Sequence, residues 1–208
     1  MKKILVANAK GGSGKSTLAT NLASYYALWQ VPVVISDLDP QRSSLEWLGQ
    51  RPEQFNPIVG IDGTTGRLSA PKEIQRLVVD APARTTQAQL RRLFEQCDEV
   101  LVPVLPSPID IRAAGHFVGE LLLDDVLRKT RIGLVANRVR EHTRIYGNLE
   151  RFLKTLDIPL VTHLRDTQNY IRAAERGIGI FEMPPYLVDQ DIDTWRPLIK
   201  WIERDHKA

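Results

Sequence analysis

The feature that most constrains this chain is a glycine-rich loop near its N-terminus, lying between a short apolar run and a helix-like segment. The loop reads Lys10, Gly11, Gly12, Ser13, Gly14, Lys15, Ser16, Thr17. Glycines let backbone N–H groups curl around phosphate oxygens, and a helix N-terminus adds partial positive charge. A strand, this loop and a helix in that order predict a phosphate-binding loop in an α/β fold.

Short β-branched runs alternate with longer helix-like segments along the rest of the chain, a pattern typical of βαβ units around a mostly parallel, buried sheet. We therefore predict one doubly wound α/β domain spanning residues 1–208. The predicted strands are 3–7, 33–36, 76–79, 99–104, 131–136 and 159–162. The predicted helices are 15–28, 88–95, 111–127, 144–156 and 169–176. Residues 54–70, with their Pro, Gly and Thr content, are predicted to form an irregular surface excursion.

Composition narrows the class of protein. No apolar run approaches the roughly 18 residues that a membrane helix needs, and the short apolar start runs directly into the glycine loop, unlike a signal peptide. We expect a soluble cytoplasmic protein without a helix-turn-helix module before the first strand. Cys97 is the single cysteine, so an internal disulfide and an iron–sulfur electron carrier are both excluded.

The loop predicts a specific nucleotide chemistry. Lys15 is expected to reach the β- and γ-phosphates, and the Ser16 hydroxyl to ligate Mg²⁺. The usual first glycine of the pattern is absent, and Lys10 stands in the loop instead. A second ammonium so close to the phosphates is useful only where an anion compensates for its desolvation, which favours ATP as the ligand. The alternative is an exposed lysine on the flank of the loop.

Acidic residues follow two predicted strands, at the sheet edge where ligands of open α/β sheets bind. Asp37 and Asp39 end the second strand, and Asp80 closes the apolar run Leu77-Val78-Val79. Asp80 is placed as in Walker B motifs and is predicted to hold Mg²⁺ through a water, because Mg²⁺ gives up its waters reluctantly. The alternative for the first pair is capping of a helix that begins at Ser43 or Ser44.

The segment from Lys10 to Thr17 resembles the deviant Walker A box of the ParA/MinD ATPases, and the whole chain is most similar to short partition ATPases such as ParF. In that family the extra lysine crosses a sandwich-dimer interface, so the resemblance implies that Lys10 couples ATP binding to homodimer formation. The segment from Asp37 to Gln41 resembles the family's acidic motif. That resemblance implies that Asp39 orients the attacking water and that both acids organise the Mg²⁺ shell.

Two later segments extend the resemblance. Asn137 ends a predicted strand, and its amide can both donate to and accept from an adenine edge, where the family places such a residue. An Asx turn is the alternative for Asn137. Residues 103–110 resemble the segment that lines the base and the dimer face in ParF-like ATPases. The ParA match departs from the usual pattern where Ala83 replaces the second proline after Asp80.

Positive charge is concentrated late in the chain. Residues 128–176 carry eleven Lys or Arg against five Asp or Glu, whereas the remainder is net acidic. Because ParA-type dimers bind DNA without sequence preference, a local excess of this kind predicts DNA binding. The candidates are a pair near the start of one helix and a pair one turn apart on another: Arg140, Arg144, Arg172 and Arg176. Taken singly, each fits an ordinary solvated helix face.

Together these features predict a slow ATP hydrolase, nucleoid-associated, stimulated by a ParB-like adaptor, that positions a plasmid, a chromosome region or a large cargo. The alternative is a MinD-like membrane switch, because the tail carries an apolar stripe that could lie in a membrane interface. The same stripe also fits a final helix packed on the sheet. Its residues are Ile192, Trp195, Leu198, Ile199 and Ile202.

Overall fold

The computed structural model describes residues 1–66, 68–83, 85–123, 130–156 and 158–204. The strands in these ranges are β1 (Lys2–Val6), β2 (Val33–Asp37), β3 (Val59–Asp62), β4 (Arg76–Asp80), β5 (Glu99–Val104), β6 (Arg131–Val139) and β7 (Leu160–Arg165). The α-helices are α1 (Lys15–Leu28), α2 (Ser43–Gly49), α3 (Gln87–Gln96), α4 (Pro108–Leu123), α5 (Arg144–Leu153), α6 (Asn169–Ala174) and α7 (Pro185–Ile202). A short 3₁₀ helix covers Ile180–Glu182.

The strands form one sheet in the order β3-β2-β4-β1-β5-β6-β7, and every pairing between them is parallel. The chain therefore builds outwards from β1 in both directions, which confirms the predicted doubly wound α/β fold. Parallel strands end at a common edge of the sheet, so the segments after β1, β2, β4 and β6 all open on the same side. In such sheets this carboxyl edge is where ligands bind.

Helices cover both faces, as the continuous apolar strands require. One core contains Phe94, Phe117 and Leu149 from α3, α4 and α5. The other contains Leu22 and Tyr26 from α1 together with the far end of α7. Strand β4 lies between them, and its residues Leu77-Val78-Val79 are fully buried.

The predicted elements mostly agree with the observed ones, and α1 and β5 match at both ends. Strands β2 and β4 each run one residue further than predicted and end on Asp37 and Asp80. The prediction of an irregular stretch at 54–70 was wrong in part, because β3 lies within it. Strand β3 has four mostly exposed residues at the sheet edge and so lacks an apolar alternation that sequence could show. The predicted end of the helix 111–127 lies outside the described residues.

The tail stripe belongs to α7 and faces the core. Trp195, Leu198 and Ile202 are fully buried, and Ile192 and Ile199 pack against the same cluster. The Thr162 hydroxyl on β7 donates to the carbonyl of Thr194, which ties the helix to the sheet edge. None of the helices in the described ranges combines the length and apolar character needed to cross a bilayer.

Candidate nucleotide site

A cleft of about 900 Å³ opens at the carboxyl edge of the sheet. Four segments that are distant in sequence contribute to its described lining: the glycine loop after β1, the turn after β2, the residues after β4 and the end of β6. The lining residues include Lys10, Lys15, Asp39, Pro82 and, from the far side, Arg138. The phosphate loop and the acidic turn that the sequence singled out therefore meet in one place.

The loop backbone depends on two glycines in the left-handed region, where φ is +76° at Gly12 and +92° at Gly14. Other residues are strained in this conformation. Gly14 also precedes α1 as its N-cap, and a Cβ atom there would lie 2.1 Å from Nδ2 of Asn137. Any side chain at Gly14 would therefore displace Asn137 as well as strain the turn.

Lys15 is buried at the start of α1, with Nζ 3.4 Å from the carbonyl oxygen of Lys10. Burial lowers the pKa of Lys15, while the nearby carboxylates of Asp80 and Asp39 act in the opposite direction. The ammonium thus lies beneath the loop and next to the acids, which suits a group that contacts β- and γ-phosphates.

Asp80 is buried at the end of β4. Its Oδ2 accepts a 2.6 Å hydrogen bond from the Ser44 hydroxyl, while Oδ1 has no hydrogen-bond partner in the described part of the chain. Burial raises the pKa of Asp80 to about 6, and hydrogen bonds from Ser44 and Ser16 oppose that rise. An unpartnered carboxylate oxygen beside the Ser16 hydroxyl fits a divalent cation.

The donor set suits Mg²⁺ in particular. No group of three His, Cys, Asp or Glu side chains converges within the ranges that the structure describes. Mg²⁺ at nucleotide sites uses only one or two protein carboxylates and completes its shell with waters and phosphate oxygens. Ser16 and Asp80 provide such a partial set.

Asp37 is engaged in the turn itself. Its Oδ2 accepts hydrogen bonds from the backbone N–H groups of Ser44 at 2.8 Å and Leu45 at 3.3 Å, and its Oδ1 accepts one from Asp39 at 2.9 Å. Burial raises the pKa of Asp37, and these hydrogen bonds oppose the rise. The structure therefore has the capping arrangement that was the alternative for this residue, and its role at Mg²⁺ stays a prediction.

Asp39 faces the cleft and touches the segment after β4. Its Oδ1 accepts from the backbone N–H of Gln41 at 3.0 Å, and its Oδ2 accepts from that of Ala83 at 3.4 Å. One carboxylate thus joins the turn after β2 to the turn after β4. A group in this position can hold a water at the mouth of the phosphate loop.

Lys10 forms an ion pair within its own chain, in which Nζ lies 2.6 Å from Oδ1 of Asp110. Asp110 is buried near the start of α4 and also hydrogen-bonds to the Ser107 hydroxyl, whereas about a third of the Lys10 side chain is exposed. The Asn8 side chain accepts from the backbone N–H of Lys10 at 2.9 Å. Lys10 is therefore held by a hydrogen bond at its backbone and by an ion pair at its ammonium group.

Comparison with known proteins assigns the family. The sequence model of the CobQ/CobB/MinD/ParA nucleotide-binding domain matches residues 4–180. The chain belongs to this family. Among curated relatives, maintenance of carboxysome distribution protein A of Halothiobacillus neapolitanus is 29% identical over 86% of this chain and 87% of its own length. The chromosome-partitioning ATPase Soj of Thermus thermophilus is 46% identical over 57% of this chain and 53% of its own.

The fold agrees with that assignment. The MinD cell division protein of Aquifex aeolicus superposes with a TM-score of 0.76 at 20% identity, covering 100% of both chains. The chain thus has both the sequence and the fold of the CobQ/CobB/MinD/ParA nucleotide-binding domain, which bears out the family resemblance of the glycine loop.

Asn137 lies behind the phosphate loop of this ParA/MinD-type domain. Its Nδ2 donates to the carbonyl of Ser13 at 2.9 Å, and its Oδ1 accepts from the backbone N–H of Arg138 at 2.9 Å. The side chain is buried. Its predicted contact with adenine stays a prediction, but both ends of the amide already have partners in the protein.

The four candidate DNA-binding arginines are all exposed and follow β6 and β7, which are neighbours in the sheet. Arg140 pairs with Asp166 at 2.7 Å, and Arg144 is the first residue of α5 after the Thr143 cap. The prediction that Arg172 and Arg176 share a helix was wrong, because α6 ends at Ala174. The short helix ends in a turn at Gly177, whose φ of +63° is left-handed.

Sequence reasoning missed three residues of the site. Ser44 holds Asp80, Asp110 holds Lys10, and Arg138 lines the cleft. Ser44 was considered only as a helix start, and Asp110 only as part of a segment. Their pairings join residues 36 and 100 positions apart, which no local pattern reveals.

Proposed function

We propose that this chain is a ParA-like ATPase that forms a sandwich dimer around ATP, holds DNA without sequence preference and positions a cargo. The position of Lys10 is the observation that carries the proposal. Lys10 lines the same cleft as Lys15 but takes no part in the buried cluster around Asp80. The cleft therefore has two lysines with different surroundings, and the proposal gives them different tasks.

Lys15 is the ammonium for the chain's own nucleotide, because it is buried under the loop among the acids. About a third of the Lys10 side chain is exposed, and its charge is already balanced by Asp110. A partly exposed lysine can leave its carboxylate partner and pair instead with a triphosphate that approaches from outside. The change costs one ion pair. We assign that triphosphate to the partner protomer of the dimer.

The surface beside Lys10 supports an interface. Ile109, next to Asp110, is 66% exposed at the start of α4. The centre of a protein–protein interface is more apolar than the rest of the surface, so an exposed isoleucine next to the carboxylate partner of Lys10 fits a position that a second protein covers. In the proposed dimer this region of α4 faces the partner.

Hydrolysis rests on positioning and electrostatics. Lys15 stabilises charge on the transferred phosphoryl group, and Asp39 orients the attacking water. Ser16 and Asp80 would hold Mg²⁺, which would supply charge neutralisation at the phosphates when bound. We propose that turnover is slow and that an adaptor protein accelerates it, because the described residues that line the cleft include no histidine that could act as a general base.

DNA binding is assigned to the carboxyl edge near β6 and β7, where Arg140, Arg144, Arg172 and Arg176 are exposed. Phosphate contacts alone are sufficient for binding without sequence preference. Two copies of this surface in a dimer double the number of contacts, which explains why binding would depend on ATP.

The cargo class follows from the relatives. One is named for the distribution of carboxysomes and another for chromosome partitioning, so both move or space a large body. We propose a cargo of the same general kind, recruited by an adaptor. Capture of partners by the Asp39→Ala variant with ATP would identify the adaptor.

A DNA-binding titration with nucleotide and salt as variables tests the proposal. Duplex DNA of random sequence should bind with ATP but not with ADP, and affinity should fall linearly on a log–log scale between about 50 and 200 mM salt. Anionic liposomes serve as the comparison, because the α7 stripe is buried in the core. ATP-dependent sedimentation with liposomes and no DNA binding at low salt would contradict the proposal and favour the membrane switch.

A further inference from the structure

We propose that Arg138 contacts the bound nucleotide and that its guanidinium stacks on the base. This inference rests on the nucleotide site described above and assigns the end of the cleft opposite Asp80. No sequence pattern pointed to Arg138.

The backbone at Arg138 is built to present a side chain. Strand β6 contains one extra residue here, because Ala136 pairs with His163 while Val139 pairs with Arg165. Within this bulge Arg138 has φ of +52°, and it is exposed between two buried neighbours. Bulges next to active sites re-aim a side chain, and left-handed residues other than glycine occur where function requires them. Arg138 lines the nucleotide cleft as a result.

Asn137 fixes the bulge to the phosphate loop. Its Oδ1 accepts from the N–H of Arg138, and its Nδ2 donates to the carbonyl of Ser13. The buried amide therefore connects the loop that receives phosphates to the residue that presents the guanidinium. We assign Asn137 as a positioning residue and Arg138 as the group that reaches the base.

The charge of Arg138 has no carboxylate partner within the described ranges. The other two cations among the described residues that line the cleft do have nearby acids, since Lys10 pairs with Asp110 and Lys15 lies near Asp80 and Asp39. A guanidinium held by a strained backbone at the rim of a cleft, without an ion pair, is available to a ligand.

Strand order places Arg138 at the base end of the ligand. Asp80 ends β4 on one side of β1, whereas Arg138 lies near the end of β6 on the other side, three strands from β4. Three strand spacings amount to about 14 Å. A nucleotide whose β- and γ-phosphates lie near Ser16 and Asp80 must extend its base towards β6. The planar guanidinium of arginine matches the face of a purine there.

The test compares ADP with inorganic pyrophosphate, each with Mg²⁺, in calorimetric titrations of the whole chain. ADP avoids any coupling to ATP-dependent dimers. The key variant is Arg138→Gly, because glycine adopts φ near +52° freely and so keeps the bulge. We expect ADP affinity to fall roughly tenfold and pyrophosphate affinity to change less than about twofold. Arg138→Lys, which keeps the charge without the plane, should lose most of the ADP affinity as well.

Several outcomes would overturn the inference. Equal losses for both ligands would place Arg138 on the phosphates, and unchanged ADP binding would remove it from the site. Full affinity in Arg138→Lys would exclude stacking. Arg151→Ala, an exposed arginine on α5 outside the cleft, should match wild type for both ligands. A wild-type chain that binds no ADP would overturn the proposed function too, whereas a failure confined to the Arg138 variants leaves that function standing.

Discussion

Two parts of the same sheet edge are built on different principles. The acidic side, formed by Asp37, Asp39 and Asp80 after β2 and β4, is largely buried and hydrogen-bonded within the chain. The basic side, formed by Arg140, Arg144, Arg172 and Arg176 after β6 and β7, is exposed. Hydrogen bonds within the chain hold the acidic side chains in place before any ligand binds. The basic side chains contribute binding energy only when a partner outside the chain contacts them.

This difference sets the size and kind of effect that a substitution has. A change on the acidic side removes a buried contact, so both ligand binding and folding respond. A change on the basic side removes a solvated charge, so only binding to a polyanion responds.

Lys15→Ala should lower nucleotide affinity at least about a hundredfold, because it removes a buried ammonium that faces the phosphates. Titration calorimetry with Mg²⁺ and ADP measures the loss. Lys154→Ala is the matched control, since Lys154 pairs with Glu150 on the surface of α5. Affinity of Lys15→Ala within a few-fold of wild type would remove Lys15 from the site.

The double variant Arg172→Ala/Arg176→Ala should weaken DNA binding with ATP roughly tenfold or more. Its salt dependence should also become shallower by about one unit of slope for each phosphate contact removed. Nucleotide binding should stay at the wild-type level, because neither residue lines the cleft.

The control for that pair is Arg91→Ala/Arg92→Ala, which removes the same charge from exposed positions on α3. Equal weakening of DNA binding by both double variants would mean that net charge alone matters. The basic side would then not be a binding surface.

Ser44→Ala should destabilise the fold by about 1 to 3 kcal/mol, because it leaves Oδ2 of the buried Asp80 without its hydroxyl donor. Chemical denaturation monitored by tryptophan fluorescence measures the change. An unchanged free energy of unfolding would show that the Ser44–Asp80 hydrogen bond contributes nothing to the native state.

Arg140→Ala should change the free energy of unfolding by less than about 1 kcal/mol, because its ion pair with Asp166 lies on the surface. The same denaturation experiment as for Ser44→Ala compares the two sides directly. A loss for Arg140→Ala equal to that of Ser44→Ala would break the distinction between the sides.

The fold class and the phosphate-binding loop could be predicted from the sequence because both leave local patterns in it. Helix α1 and strand β5 were predicted at both ends, because the glycine loop marks one and a buried apolar run marks the other. Strand β3 and helix α2 were not among the predicted elements. Strand β3 is short and exposed, and α2 has seven residues and depends on the cap from Asp37.

The sequence indicated which types of residue line the site, but not which side chains pair with each other there. The position of Lys10 in the loop was plain, but its ion pair joins it to Asp110 across 100 positions. Arg138 reaches the cleft through a bulge set by the register of β6 against β7, and register is a tertiary property. Asp37 accepts a hydrogen bond from the first turn of α2, in line with the capping alternative, and its role at Mg²⁺ stays a prediction.

The proposed ATP-dependent dimer is tested most directly by the mass of the Asp39→Ala variant in sedimentation velocity, with saturating ATP and Mg²⁺. This variant lacks the carboxylate assigned to the attacking water, so ATP should persist and the chain should sediment at twice the monomer mass. The further change Lys10→Ala should leave nucleotide bound and return the chain to a monomer. An Asp39→Ala chain that binds ATP and stays monomeric would contradict the proposed dimer and the role of Lys10.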